Sequence, residues 1–193
     1  MPAPKQHDTN DFVDGAMRLF WSRGYEGTSI NDLVDATGIN RGSIYASFDG
    51  KRDIFLAALA RYDDLYRARF LTALERRCTP KEAIVAAFRS AAGHDADGAL
   101  PAGCLVVNSA VELSPHDPEI AAAVDLSLSA LIGFFRSRVE AAKAAGEVRP
   151  DLDAEAATTT LYALFLGLRV MTRSNAPSQC RDEIVRQATR LLE

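Results

Sequence analysis

The stretch TSINDLVDATGINRGSIYASFDGK, residues 28–51, decides how this chain folds, because it combines helix-start signals with one sharp turn. Ser29 is a residue type that caps a helix, and Asp32 follows it at capping-box spacing. Gly38 stands where a sharp turn requires a positive φ, and Asn40 is suited to cap another helix. The stretch therefore predicts two short helices around a tight turn, with a long helix beginning at its last residue.

The rest of the chain also follows the helical period, and no segment shows the alternation expected of a strand. Upstream, Phe12, Ala16 and Phe20 recur at four-residue spacing and predict a first helix over residues 10–23. Downstream, Thr79 and Asp117 each precede a proline at a helix start, and both are good caps. Ser178 is predicted to cap the last helix. The fold is predicted to be all-α, with later helices over 51–76, 79–93, 103–113, 117–145, 153–173 and 178–192.

Composition and net charge limit the classes of function that the chain could have. The chain has 193 residues, 48% hydrophobic and 25% charged, which is typical of a soluble globular protein. The net charge of −4 argues against a non-specific coat on nucleic acid but permits a local basic cluster. Apolar runs are too short for a membrane span and the N-terminus does not resemble a secretory signal, so we expect a cytoplasmic protein with no membrane partner.

The three cysteines, Cys78, Cys104 and Cys180, are too few and too scattered to predict a disulfide framework or a zinc site. We expect no metal and no cofactor. A catalytic role for Cys104 as a nucleophile is disfavoured, because no histidine with a carboxylate or amide partner is placed to activate it. The chain is therefore not expected to be an enzyme.

Two short helices around a glycine turn have the layout of a helix-turn-helix unit, whose second helix enters the DNA major groove. Arg41 stands at the start of that helix and is able to pair bidentately with guanine, a contact worth about 1–3 kcal/mol. Ser43, Tyr45 and Lys51 carry donors suited to phosphate, and the helix start at Thr28 adds backbone N–H groups. Composition and periodicity alone still favour a plain helical bundle with an exposed arginine and tyrosine.

A denser set of sequence motifs favours the helix-turn-helix interpretation over the plain helical bundle. The chain carries A-x-x-L-F-x-x-x-G-Y at 16–25, T-S-I-x-D-L at 28–33, T-G-I-x-x-G-S-I-Y-x-x-F-x-x-K at 37–51 and A-A-L at 57–59. With these strings, residues 12–62 resemble the DNA-binding domain of the TetR family of bacterial repressors. The resemblance implies about nine helices: a three-helix helix-turn-helix head, a connector helix and a C-terminal helical bundle with a dimer interface.

The resemblance also implies domains and DNA contacts. Residues 1–50 would form the helix-turn-helix DNA-binding domain, and residues 51–193 the ligand-binding and dimerisation domain, with the connector helix starting at about 51. Tyr45 and Lys51 would anchor phosphates, and Arg41 would read a base. A basic N-terminal arm is represented only by Lys5, and Asp49 is expected to replace a serine-like cap before the connector. The residues assigned to DNA are Thr28, Arg41, Gly42, Ser43, Tyr45 and Lys51.

In the C-terminal half, GCLVVN at 103–108 and DPEI at 117–120 resemble a subgroup that includes electrophile- and oxidant-responsive repressors. Cys104, near a helix start that favours the thiolate, is a candidate sensor; the alternative is a small buried apolar residue. Asn108 and Tyr162 are the best polar candidates for a pocket. The predicted ligand-binding residues are Phe88, Cys104, Val107, Asn108, Val111, Phe134, Tyr162 and Phe165.

Together these observations predict a DNA-binding transcriptional regulator. It would be a dimeric repressor that a small-molecule or electrophile inducer releases from a near-palindromic double-stranded DNA operator. The last two helices would form a four-helix bundle with a second subunit, making a homodimer. The alternative is a helical ligand-binding protein that has lost DNA binding, which the acidic balance of residues 1–60, six lysines and arginines against eight aspartates and glutamates, supports.

Overall fold

A computed structural model describes residues 6–93, 100–174 and 176–193. Within these ranges the chain forms nine helices and no strand, which confirms the predicted all-α fold. The fourth helix, α4, is continuous but changes geometry: an α-helical Lys51–Tyr62 is followed by a π-helical Asp63–Ala68 and an α-helical Arg69–Arg77. The others are α1 Gln6–Arg23, α2 Ile30–Thr37, α3 Arg41–Ser47, α5 Pro80–Ala91, α6 Leu105–Glu112, α7 Pro118–Ala144, α8 Ala154–Arg173 and α9 Ser178–Leu191.

The caps predicted for the helix-turn-helix unit are confirmed. The Ser29 N–H donates to Asp32 Oδ2 at 2.8 Å, and the Ser29 hydroxyl oxygen accepts from the Asp32 N–H. Gly38 ends α2 with a φ of 72°, where a side chain would be strained. Asn40 Oδ1 accepts from the Ser43 N–H at 3.0 Å and starts α3. Local side-chain chemistry therefore fixes both the turn and the direction of α3.

Two other cap predictions are wrong. Gly50, not Asp49, is the N-cap of α4, and its φ of 149° separates Asp49 from the helix start. The backbone N–H of Asp49 donates to Asp53 Oδ2 instead, at 3.3 Å. At the last helix Pro177 occupies the N-cap, so that Ser178 is already the first helical residue.

The head core is built around α1, which packs on α2 and α4. Phe20 is fully buried and meets the Phe55 ring edge-on, with centroids 5.0 Å apart. Leu33 of α2 and Ile44 of α3 complete this core, which continues into Leu105 and other buried residues of α6 and α7. The head therefore shares its core with the body, and the domain boundary at residue 50 stays a prediction.

The body core lies between α5, α7, α8 and α9 and contains a cluster of phenylalanines. Among the described residues, α7 is the one helix with the length and composition of a membrane span. In this fold Phe135 and Val139 of α7 are completely buried in the bundle core, as expected of the central helix of a helical protein.

Candidate functional site

Helix α3 is attached to the head by one side and leaves the other side free. Ile44 is buried, and Phe48 packs against Phe12 with ring centroids 5.5 Å apart. The remaining side chains of α3 point away from the protein, and Tyr45 is 54% exposed. A short helix held in this way is suited to enter a groove.

The exposed side of α3 carries most of the residues predicted to contact DNA. Arg41, Gly42, Ser43 and Tyr45 are all exposed there. A Cβ at Gly42 would lie 3.3 Å from Asn40 Oδ1, so glycine leaves room for the cap. The structure thus presents a guanidinium, a hydroxyl and a phenol together, with no side chain at position 42 between them.

Lys51 extends this surface at the start of α4. Its ammonium lies 4.1 Å from the centroid of the Tyr25 ring, a cation–π contact worth about 0.5–1 kcal/mol at an exposed site. Burial, with the negative charge of Glu26, raises the pKa of Tyr25, so the ring stays a neutral platform at pH 7. The contact holds the lysine charge beside α3.

Thr28 does not belong to this exposed surface, and its assignment to DNA stays a prediction. The residue is completely buried, and its hydroxyl donates to the carbonyl of Gly24 at 2.8 Å. Its N–H donates to the carbonyl of Tyr25 at 3.2 Å. Because both donors of Thr28 are used inside the head, its role is to hold the link between α1 and α2.

A cavity of about 700 Å³ lies in the body, beneath the head. It is bordered by α1, α4, α5, α6, α7, α8 and the start of the last helix. The π-helical segment of α4 contributes Leu65, Tyr66 and Arg67 to its wall. Such π segments often occur at functional sites, because the wider turn displaces side chains from the ordinary helical face. Of the predicted pocket residues, Cys104, Val107 and Phe165 border this cavity.

The other five predicted pocket residues do not border the cavity. Val111 is 77% exposed because it lies on the outer side of α6. Phe88 is completely buried in the core, where its ring packs edge-on against the Phe165 ring at 5.5 Å. Phe134 borders a smaller recess of about 310 Å³. The predicted pocket residues that do not border this cavity are Phe88, Asn108, Val111, Phe134 and Tyr162.

Apart from Cys104, the sequence does not predict the polar groups that border the cavity. Cys104 is the N-cap of α6, as its predicted position near a helix start required, and is half-buried. Cys104, Tyr62 and Arg169 all border the cavity, and the thiol and the guanidinium both act electrostatically on the Tyr62 hydroxyl. Burial raises the pKa of Tyr62 well above its ordinary value, so its hydroxyl remains a donor. Arg169 lies four residues after Phe165, and this spacing could have revealed it.

Two polar contacts connect the head directly to the walls of the cavity. Arg173, one turn after Arg169 on α8, donates to the carbonyls of Trp21 at 3.1 Å and Ser22 at 2.8 Å. Trp21 itself borders the cavity from α1. The end of the first head helix is therefore bound to the helix that carries the cavity arginine.

A third connection joins the connector helix to α7. Arg52 donates to Asp117 Oδ2 at 2.6 Å and Oδ1 at 2.9 Å, and to Glu119 at 2.8 Å. Asp117 also caps α7, accepting from the backbone of Glu119 and Ile120. The Arg52 guanidinium, aided by these N–H groups, lowers the pKa of Asp117 to about 2.

The ion pairs of Arg52 with Asp117 and Glu119 predict that the stability of the protein depends on pH in a specific way. Because the folded pKa of Asp117 lies below its ordinary value of about 3.9, its stabilising effect is complete above that value and is lost as pH falls toward about 2. Asp117→Asn keeps the cap but removes the charge. The urea midpoint of wild type should exceed that of Asp117→Asn at pH 7, with a gap that closes between about pH 4 and 2. A gap that persists at pH 2 contradicts this; Asp125→Asn, exposed on α7, is the control.

Comparison with known proteins decides the family. Residues 12–58 match the profile described as "Bacterial regulatory proteins, tetR family", and residues 80–188 match "Tetracyclin repressor-like, C-terminal domain". The chain belongs to the TetR family. TetR-family chains are helix-turn-helix transcriptional regulators, so the predicted fold and the predicted DNA-binding regulatory function are both confirmed.

Individual TetR-family proteins match over most of their length. The HTH-type transcriptional repressor ComR of Escherichia coli is 31% identical over 191 residues, with 97% of this chain and 90% of ComR covered. YezE of Bacillus subtilis, an uncharacterised HTH-type transcriptional regulator, is 34% identical over 173 residues, with 89% of each chain covered. A cysteine-substituted form of the TetR-family regulator CifR, solved in complex with a 26-bp double-strand operator DNA, superposes with a TM-score of 0.85 at 28% identity and covers 100% of both chains.

Proposed function

We propose that this TetR-family regulator is a cytoplasmic, dimeric repressor that an inducer in the body cavity releases from a near-palindromic operator. The observation that carries the proposal is the free side of α3, where Arg41, Ser43 and Tyr45 are exposed beside Lys51. Arg41 would read a base edge, and the other three would bind phosphates. Gly42 would let the start of α3 approach the DNA closely.

The direct test is an electrophoretic mobility shift with DNA from upstream of the chain's own gene. We expect a discrete shifted band that unlabelled upstream DNA competes away and unrelated DNA of equal length does not. The double variant Arg41→Ala with Tyr45→Phe should lose the band, while Arg136→Ala, an exposed arginine on α7, should keep it. No shift with the wild-type protein would refute DNA binding at this promoter.

Two copies of the head are needed to read both half-sites, about 34–36 Å apart. We propose that α8 and α9 pair with their counterparts in a second subunit. On α8, Ala163, Gly167 and Val170 are exposed at helical spacing, and Val170 is 50% exposed. Small and apolar side chains on one side of a helix allow another helix to pack closely.

Val170→Asp should therefore dissociate the dimer, because each subunit would bring one unpaired carboxylate into the interface. We expect the dimer dissociation constant to rise about 100-fold, measured by sedimentation equilibrium. Val111→Asp places the same charge at a more exposed valine on α6 and should leave the constant unchanged. Equal behaviour of the two variants would place the interface elsewhere.

We propose that reactive inducers act through Cys104. Its thiol borders the cavity beside Tyr62, at the point where α6 begins, so an adduct there would displace the cavity wall. Treatment with N-ethylmaleimide should lower operator affinity of the wild type at least tenfold, and Cys104→Ser should be insensitive. Cys78→Ser and Cys180→Ser, which remove the other two thiols, should respond like wild type. A Cys104→Ser protein that still responds would exclude Cys104 as the sensor.

A further inference from the structure

The cavity is bordered by positive charge. Four arginines border it, and no described residue that borders it is an aspartate or glutamate. Two of them have carboxylate partners on α4: Arg67 binds Asp63, and Arg69 binds Asp64 at 3.0 Å. The described residues provide no such partner for the other two, Arg169 and Arg181.

Arg169 and Arg181 meet at the C-terminal end of α5. Arg169 donates to the carbonyl of Gly103 and to that of Ala91 at 3.5 Å, while Arg181 donates to the carbonyl of Ala92 at 2.8 Å. A helix C-terminus carries about half a negative charge, which is less than the two positive charges gathered there. Among the described residues, these half-buried guanidinium groups therefore have more positive charge than the negative charge placed beside them.

Two side chains that border the cavity have buried donors without an acceptor among the described residues. Within the described part of the chain, the Arg181 Nε–H and the Trp21 indole N–H have no hydrogen-bond partner. Trp21 is only 3% exposed, and both side chains border the cavity. Native proteins satisfy nearly all buried donors, so those that remain here indicate an acceptor that arrives with a ligand.

Much of the remaining wall is apolar. Phe70, Leu71, Leu128, Leu131 and Phe165 border the cavity away from the arginines. Its volume of about 700 Å³ lies within the range of small-molecule sites. A molecule that satisfies both regions has an apolar body and one anionic end.

We propose that the cavity also takes a non-covalent inducer, an amphipathic carboxylate, whose carboxylate binds Arg169 and Arg181 while its apolar body lies against the phenylalanine and leucine wall. The planar guanidinium of Arg169 is suited to a bidentate pair with a carboxylate. This assignment rests on the proposed function of the cavity as the inducer site. It also puts the ligand against α8, where Arg173 binds the end of α1.

The test compares sodium octanoate with 1-octanol, which have the same chain length and differ in charge. Isothermal titration calorimetry of the wild-type protein should show at least a tenfold preference for octanoate. Arg169→Gln should reduce that preference to about twofold or less without weakening octanol binding, whereas Arg169→Lys, which keeps the charge, should retain most of it. Arg136→Gln, on the outside of α7, should match wild type.

Arg181→Gln provides an independent variant if Arg169→Gln unfolds, and thermal unfolding identifies that case; it too should reduce the preference at least threefold. Because Trp21 is the one tryptophan of the chain, its fluorescence should change on titration with octanoate. Equal binding of octanoate and octanol, no binding of octanoate, or a preference unchanged in both glutamine variants would overturn the proposal. If octanoate binds as expected but leaves operator affinity unchanged, the ligand class stands and the role of the cavity as inducer site fails.

Discussion

Replacing Arg41 by alanine is expected to weaken operator binding by the dimer about 30- to 20,000-fold. One bidentate arginine–guanine pair contributes about 1–3 kcal/mol, and a dimer loses two such pairs at once. Arg41 is exposed at the first turn of α3, and no described side chain forms an ion pair with it, so alanine removes little from the folded protein. The measurement is fluorescence anisotropy with labelled operator at constant salt.

The Arg41→Ala variant also distinguishes recognition of a base from a purely electrostatic contribution to DNA affinity. Affinity for unrelated DNA should fall far less than affinity for the operator, because that binding rests on charge alone. Arg41→Lys should be intermediate, since lysine keeps the charge and lacks the planar fork. Equal losses on operator and unrelated DNA would mean that Arg41 binds a phosphate and that another residue reads the bases.

Replacing Phe20 by alanine should remove about 3–5 kcal/mol from the free energy of unfolding. The side chain is completely buried, and its ring meets those of Phe55 at 5.0 Å and Tyr25 at 6.1 Å. A loss of this size is a large share of the 5–15 kcal/mol typical of a folded domain. Because Tyr25 supports Lys51, the damage should extend to the DNA-binding surface.

Urea unfolding measures this loss, with Trp21 fluorescence as a local probe of the head and circular dichroism as a probe of all helices. Arg18→Ala, on the exposed side of α1, is the matched control and should change stability by less than about 0.5 kcal/mol. A Phe20→Ala protein within 1 kcal/mol of wild type would show that the α1–α4 core is not what holds the head together.

What the sequence predicts well is decided locally. Asn40 and Asp117 cap the helices assigned to them, because a cap depends on a side chain and the backbone two or three residues away. Gly38 ends α2 for the same kind of reason. The exposed side of α3 also follows from local periodicity once Ile44 is recognised as the buried residue.

The cavity could not be predicted in the same way. Helix α6 is apolar almost all round, so its sequence does not reveal that Val107 faces the cavity and Val111 faces solvent. Which side of α6 is buried depends on α7 and α8, which pack against it. Tyr62 lies just before the π-helical segment of α4. If the α-helical period is continued past Tyr62, the residues that follow are assigned to the wrong side of the helix. The arginines of the cavity come together only through the fold.

Thr28 illustrates what a sequence pattern leaves open. Its place in a familiar pattern suggested DNA contact, but the fold uses its hydroxyl to bind the Gly24 carbonyl. A pattern match locates a residue along the chain without saying which of its neighbours satisfies its polar groups. Burial decides that question.

The most direct test of the account is the salt dependence of operator binding. Two heads, each with Lys51 on a phosphate, neutralise two phosphates, while each Arg41 reads a base edge. The logarithm of the association constant should then fall against the logarithm of salt concentration with a slope of roughly −1.8. Lys51→Ala should remove most of this slope, because each dimer loses both of its phosphate-bound cations. A slope near zero, with equal affinity for operator and unrelated DNA, would contradict the account and favour a ligand-binding protein without a DNA target.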